Sequence, residues 1–195
     1  MTSDPVQFPK ALPLMSACQI IGTRQRVRPP RILHQFWDRE PPSQIQTLLS
    51  HNASICAAAG IEHRVWSLTS ADALMADGFP DEVMQAYETA PHPAMQSDIF
   101  RLAVLHRYGG LYLDADMALR QGTGADLWLS FTDALLFKWN LPKRHNSPNW
   151  CLGFMPRHDL AWTCLTHMSS RMAAAIVADP QKALQNALAY GPGAF

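Results

Sequence analysis

Residues 94–117 read AMQSDIFRLAVLHRYGGLYLDADM. The first part predicts a helix, because Met95, Ile99, Leu102, Ala103 and His106 fall on one stripe at spacings of three and four. Asp98 and Arg101 are three apart and project from the same side of that helix. Gly109-Gly110 ends it, since glycine takes positive φ without a side-chain penalty. Leu111, Tyr112 and Leu113 then predict a short buried strand that delivers Asp114 and Asp116 at its C-terminal end, the edge at which open α/β sheets bind ligands. For both carboxylates to serve one site at that edge, the strand must bend or end at Ala115. Two such charges repel by about 4 kcal/mol at roughly 4 Å and an effective dielectric near 20. A divalent cation removes that cost, and with oxygen ligands alone it would be a hard ion, Mg²⁺ or Mn²⁺.

Upstream, RILHQFW at residues 31–37 predicts a buried strand after Pro29-Pro30. Pro41-Pro42 marks a loop, and Ser43 with Gln46 predicts a capping box for a helix that ends at Gly60. Ile61, His63 and Val65 alternate with Glu62, Arg64 and Trp66 and predict a second strand, so the order is that of an α/β domain. Ser70 and Asp81 are expected to cap two short helices over 71–75 and 82–89. Downstream, 134–139 and 151–155 read as strands and 158–177 as a helix. Asp179-Pro180 is an N-cap and first-turn pair for a last helix through 189. The stretch 140–150, with His145, Asn146, Asn149 and Trp150, reads as a polar loop.

The chain balances 16 Lys+Arg against 16 Asp+Glu, which argues against broad capture of nucleic acid. Its 195 residues, 48% hydrophobic, suit one domain of residues 31–195 after a proline-punctuated arm of residues 1–30. Cys18, Cys56, Cys151 and Cys164 stand far apart and read as reduced thiols, not as a zinc site or disulfide framework. No apolar run reaches the length of a transmembrane helix, and the stretch 11–22 is too broken for a signal peptide. A cytoplasmic chain is expected. Arg24, Arg26 and Arg28 leave room for peripheral contact with the inner face of a membrane.

Ser97-Asp98 and Arg101, followed by Tyr108-Gly109-Gly110, Tyr112, Asp114 and Asp116, resemble the signature of sugar-nucleotide glycosyltransferases with a D-x-D motif. The resemblance is to the retaining group (glycosyltransferase family 32-like) of initiating mannosyltransferases, bacterial capsule and lipopolysaccharide sugar transferases and clostridial glucosylating toxins. Residues 31–37 resemble that group's opening strand, Val65-Trp66 a motif after its second strand, and Gly191-Pro192-Gly193 a late Gly-Pro motif. The resemblance implies a GT-A (Rossmann-like) nucleotide-diphospho-sugar transferase fold, short at its C-terminal part. It implies transfer with retention from a UDP- or GDP-sugar to a glycan or glycolipid hydroxyl, with Mn²⁺ or Mg²⁺. Trp37 would lie against the nucleobase, Asp98 and Arg101 would contact donor sugar and phosphates, and Tyr112 would pack near the donor. Asp114 would reach sugar hydroxyls or the metal through water, and Asp116 would bind the metal directly. Two alternatives stand beside this: a degenerate protein that only binds the nucleotide, and a haloacid-dehalogenase-type phosphatase with Asp114 as nucleophile.

Overall fold

The structure, a computed structural model, describes residues 16–20, 28–120, 133–138 and 148–190. Its strands are β1 (Ser16–Ile20), β2 (Ile32–Phe36), β3 (Glu62–Trp66), β4 (Gly110–Leu113), β5 (Ala134–Lys138) and β6 (Cys151–Phe154). Its helices are α1 (Ser43–Ala58), α2 (Leu68–Ala76), α3 (Asp81–Glu88), α4 (Pro93–Tyr108), α5 (Asp159–Ala178) and α6 (Pro180–Tyr190). The mixed α/β architecture is that of a Rossmann-like GT-A fold. The Gly191-Pro192-Gly193 motif and most of the 140–150 loop lie outside the described residues, as do Arg24 and Arg26.

One six-stranded sheet runs in the order β1-β5-β6-β4-β2-β3. β2 pairs in parallel with β3 on one side and β4 on the other, while β6 is antiparallel to both β4 and β5. β1 adds antiparallel to β5, with Cys18 opposite Leu136. Part of the expected arm is therefore an edge strand. Its sequence, SACQI, is too short and irregular to betray pairing that depends on a partner more than a hundred residues on.

Strand alternation sends side chains to two different cores. Leu33, Leu111, Leu113, Leu135 and Cys151 pack with Cys56 of α1 on one face. Phe36, Tyr112, Leu152 and Phe154 pack with residues of α2, α3, α4 and α5 on the other. The chain leaves β2 over one face to reach β3, then returns over the other to reach β4. A crevice opens where the carboxyl ends of β2 and β4 diverge, the place at which doubly wound sheets bind ligands. The stripe expected on α4 is only part of what is buried, because α4 lies between the sheet and α2, α3 and α5; every residue from Ser97 to Leu105 is enclosed. β3 sits at the sheet edge, so Val65, expected to face inward, is 47% exposed.

Helix starts differ from the expected caps in consistent ways. α1 begins at Ser43 with Pro42 in the cap position, and Gln46 donates to the Pro41 carbonyl at 2.8 Å instead of closing a capping box. α3 likewise begins at Asp81 behind Pro80, whose extended backbone presets the turn, and Asp81 and Glu82 favour the positive helix end. α2 starts earlier than expected, with Ser67 and Ser70 forming the capping box. Asp179 does cap α6, accepting from the Lys182 amide at 3.0 Å. Cys56 and Cys151 are buried free thiols, and Cys164 is an exposed one.

His34 is fully buried in β2 and ties that strand to β3 and to the end of α4. It hydrogen-bonds the Gly109 carbonyl at 3.0 Å and accepts from Trp66 Nε1 at 3.2 Å. Burial holds its pKa down at about 4, so it is neutral and donates from Nε2.

The turn that aims β4 depends on Gly110. Its φ is +95°, and a Cβ there would stand 2.5 Å from the Ile32 carbonyl oxygen of β2. Gly110→Ala is expected to cost about 2–5 kcal/mol from strain and overlap together. The check is a drop in the urea midpoint at unchanged slope.

Candidate active site

Arg101 organises the crevice. It is 4% exposed, and its Nη2 lies 3.0 Å from Asp98 Oδ1 and 3.1 Å from Asp114 Oδ1. Its Nη1 donates to the Asn149 carbonyl at 2.9 Å, and its Nε and Nη2 reach the Ser97 carbonyl and hydroxyl at 3.2 and 3.1 Å. The guanidinium carbon sits 5.1 Å from the centre of the Tyr112 ring, and the Tyr112 hydroxyl pairs with Ser97 Oγ at 2.9 Å. Asn149 Nδ2 closes the cluster by donating to Asp98 Oδ1 at 3.1 Å. The Asp98–Arg101 pair is thus internal, with both side chains about 5% exposed, and not a solvated helix-surface pair.

The bend required at Ala115 is present. The Met117 amide donates to the Asp114 carbonyl at 3.0 Å, closing a turn over 114–117. Asp114 remains partly accessible, with a side chain 28% exposed, while Asp116 is exposed. A cavity of about 260 Å³ lies here, bounded by Trp37 and Arg39 after β2, Ser97 and Arg101 of α4, and Asp114 and Asp116. His92, Pro93 and Ala94 bring the α4 N-terminus, an anion-favouring helix end, to its wall. Asp98 and Tyr112 stand behind that wall, in contact with Arg101. The Nε1 atoms of Trp37 and Trp150 are buried without a hydrogen-bond partner among the described residues.

Electrostatics follow from one guanidinium among several carboxylates. Burial pushes Asp98 upward, against the pull of Arg101 and of the Asn149 hydrogen bond. Asp114 rises from 3.8 to about 6, first through burial and then, against the opposing Arg101, through the charges of Asp116 and Asp98. Burial alone would lower Arg101, but Asp98 and Asp114 outweigh it and hold the guanidinium more firmly charged. Burial likewise raises the Tyr112 hydroxyl, which stays protonated.

Among the described residues no group of three or more His, Cys, Asp or Glu side chains could enclose a metal. The two D-x-D carboxylates are not equivalent: Asp114 Oδ1 is engaged by Arg101, and Asp116 makes no ion pair among the described residues. Sequence reasoning missed Asn149 as a partner of Asp98, the α4 N-terminus, Arg39, and the amides of Gln35 and Asn52 that hold the turn. The last two were detectable as polar residues on inward-facing positions.

Two outcomes check this geometry. Asp114 keeps its proton to higher pH when folded than when unfolded. Its contribution to stability is therefore full below about 4 and lost as pH rises through about 6. Asp114→Asn should flatten that part of a pH series of urea midpoints. Arg101→Met leaves Asp98 buried without its cation and should cost about 3–5 kcal/mol by the same measurement.

Comparison with known proteins places the chain among similar sequences. The family described as "Glycosyltransferase sugar-binding region containing DXD motif" matches residues 38–134, about half of the chain. That match includes Asp98, Arg101, Tyr112, Asp114 and Asp116 and begins just after Trp37. An uncharacterized glycosyltransferase of Acanthamoeba polyphaga mimivirus is 29% identical over 105 residues, which is 52% of this chain and 41% of the relative. Inositol phosphoceramide mannosyltransferase 3 of Schizosaccharomyces pombe is 29% identical over 98 residues, 50% of this chain and 27% of that one. The chain thus spans well under half the length of either relative. No solved structure matches significantly. With the D-x-D turn at the strand edge and the match running through it, the chain belongs to the DXD-containing glycosyltransferase sugar-binding family.

Proposed function

We propose that this chain transfers a sugar, with retention, from a UDP- or GDP-sugar to a hydroxyl of a glycan or glycolipid, with Mn²⁺ or Mg²⁺ as cofactor. The observation that carries the reading is the buried Asp98–Arg101–Asp114 cluster opening into a cavity beside the exposed Asp116. Arg101 offers a fixed positive charge to the leaving diphosphate, and it needs no reorganisation because Asp98, Ser97 and Asn149 already hold it. Asp98 acts through Arg101 as a positioning residue. Tyr112 supports the same guanidinium from its ring face. Trp37, on the cavity wall, would meet the donor's base; its buried indole N–H has no partner among the described residues.

The donor set suits a hard cation held jointly by protein and substrate. Asp116 would supply its direct oxygen ligand and Asp114 a second-sphere or water-mediated one, leaving positions for phosphate oxygens. When bound, the ion would neutralise charge on the leaving diphosphate. Attack by the acceptor on the same face of the sugar would leave the departing phosphate to take the proton. The family match favours this over phosphatase chemistry at Asp114. A mannosyl donor deserves the first trial because one relative is named a mannosyltransferase. A glycolipid acceptor would bring the protein to the cytoplasmic face of a membrane, and residues 1–30 as an arm before a domain of 31–195 would suit that contact. No described helix is long and apolar enough to cross a membrane.

Titration calorimetry with UDP, GDP and their sugars, with and without Mn²⁺, tests the reading. Binding should require the metal, and Asp116→Asn should weaken it by at least tenfold. Full donor turnover by Asp116→Asn in Mn²⁺ would refute the site assignment. Metal-dependent binding with no transfer or hydrolysis would assign the chain to nucleotide binding alone.

A further inference from the structure

The backbone that carries Asp114 and Asp116 is gripped from below by buried amide side chains outside the cavity. Gln35 of β2 and Asn52 of α1 are both fully buried. Gln35 Nε2 donates to the Asp114 carbonyl at 3.2 Å. Asn52 Nδ2 donates to the Met117 carbonyl at 2.9 Å, and Asn52 Oδ1 accepts from the Leu119 amide at 2.8 Å. The two amides are joined to each other, Asn52 Nδ2 donating to Gln35 Oε1 at 3.2 Å. His63 Nε2 of β3 donates to the same Gln35 oxygen at 2.8 Å, and His51 Nε2 of α1 donates to the Leu119 carbonyl at 2.9 Å. The turn over 114–117 and the two residues beyond it are therefore fixed at four backbone atoms by side chains from two elements, β2 and α1, with His63 of β3 bracing Gln35.

Buried amides with this many bonds have a cost if any bond is lost, because the orphaned group cannot recover water. Asn52 uses both of its N–H donors, so it cannot satisfy a second backbone arrangement. A mid-helix Asn and a mid-strand Gln are poor choices for helix and sheet alone. Gln35 lies two residues from Leu33, on the α1 face, and Asn52 lies between Leu49 and Cys56 on the buried stripe of α1.

We infer that Asn52 and Gln35 are positioning residues that hold the D-x-D turn in the one backbone conformation that presents Asp116 to the cavity beside Asp114. In its consequence for ligand binding the inference rests on the transferase reading above. Asn52→Ala releases the Met117 carbonyl and the Leu119 amide. Gln35→Met, which nearly keeps the volume, releases the Asp114 carbonyl and leaves the fold a second way to be tested.

The experiment uses the full chain and two readouts. The first is hydrogen exchange at the Leu119 amide, with the amide of Leu113 in β4 as internal reference. The second is affinity for Mn²⁺ with UDP or GDP. Leu74→Ala in α2, buried and remote from the turn, serves as the control for general destabilisation. Asn52→Ala should speed exchange at Leu119 by at least a hundredfold with Leu113 protected, and should weaken nucleotide affinity by at least tenfold. Gln35→Met should weaken affinity in the same direction, and Leu74→Ala should leave it within twofold of wild type. Unchanged Leu119 exchange in Asn52→Ala would overturn the inference, as would wild-type affinity in both amide variants. Equal loss of affinity in Leu74→Ala would also overturn it, because the effect would then be global. Wild-type chain that binds neither nucleotide with Mn²⁺ would instead sink the transferase reading, and Leu119 exchange alone would then decide the clamp.

Discussion

The structure of the site depends on the burial of one guanidinium. An arginine removed from water is tolerated only if its charge and its donors are matched. Arg101 is matched by Asp98 one helical turn back, by Asp114 at the end of β4, and by the carbonyls of Ser97 and Asn149. Those partners belong to three separate stretches of chain, so the requirement fixes their relative positions. The end of β4 cannot move from α4 without stranding a charge. The 149–150 segment is bound in as well, since the Asp114 amide donates to the Trp150 carbonyl at 2.8 Å.

Topology decides where this cluster meets solvent. β2 has β3 on one side and β4 on the other, reached over opposite faces of the sheet. The two layers of helices therefore part at the carboxyl ends of β2 and β4. Trp37 follows one strand and Asp114 the other, and the cavity between them is a consequence of strand order. Gly110 makes the order workable, because only a residue without Cβ lets β4 start so close to the Ile32 carbonyl.

Much of this was legible in local sequence. The Gly-Gly break, the short apolar strand and the D-x-D ending are consecutive, so their structure follows from neighbouring residues. The ion pair of Asp98 with Arg101 was legible from helical spacing, though its burial was not. Burial depends on the end of β4 and on Asn149, about fifty residues downstream, and no local period reports that. The edge strand β1 was missed for the same reason. Shifted helix starts at Pro42 and Pro80 have a different origin: an extended proline can occupy the cap position and displace the polar residue into the first turn. Gln35 and Asn52 broke the apolar pattern of strand and helix, and such breaks on inward-facing positions carry more information about function than the pattern itself.

The balance of charge around the cavity links the fold to the proposed chemistry. The chain as a whole is neutral, yet Arg101 faces Asp98, Asp114 and Asp116, and Arg39 is already paired with Asp38 at 3.0 Å. Burial first, and then the neighbouring charges of Asp116 and Asp98 against the pull of Arg101, push the Asp114 carboxyl up to about 6. A nucleoside diphosphate would add more negative charge to a site that has no spare cation among its described residues. In the proposed reading a cation would enter with it, and the exposed Asp116 would receive that cation. Under this reading the dependence on metal is a property of the charge count. The buried amides beneath the turn follow from the same need, because a carboxylate that repels its neighbour must be held in place by bonds to the backbone.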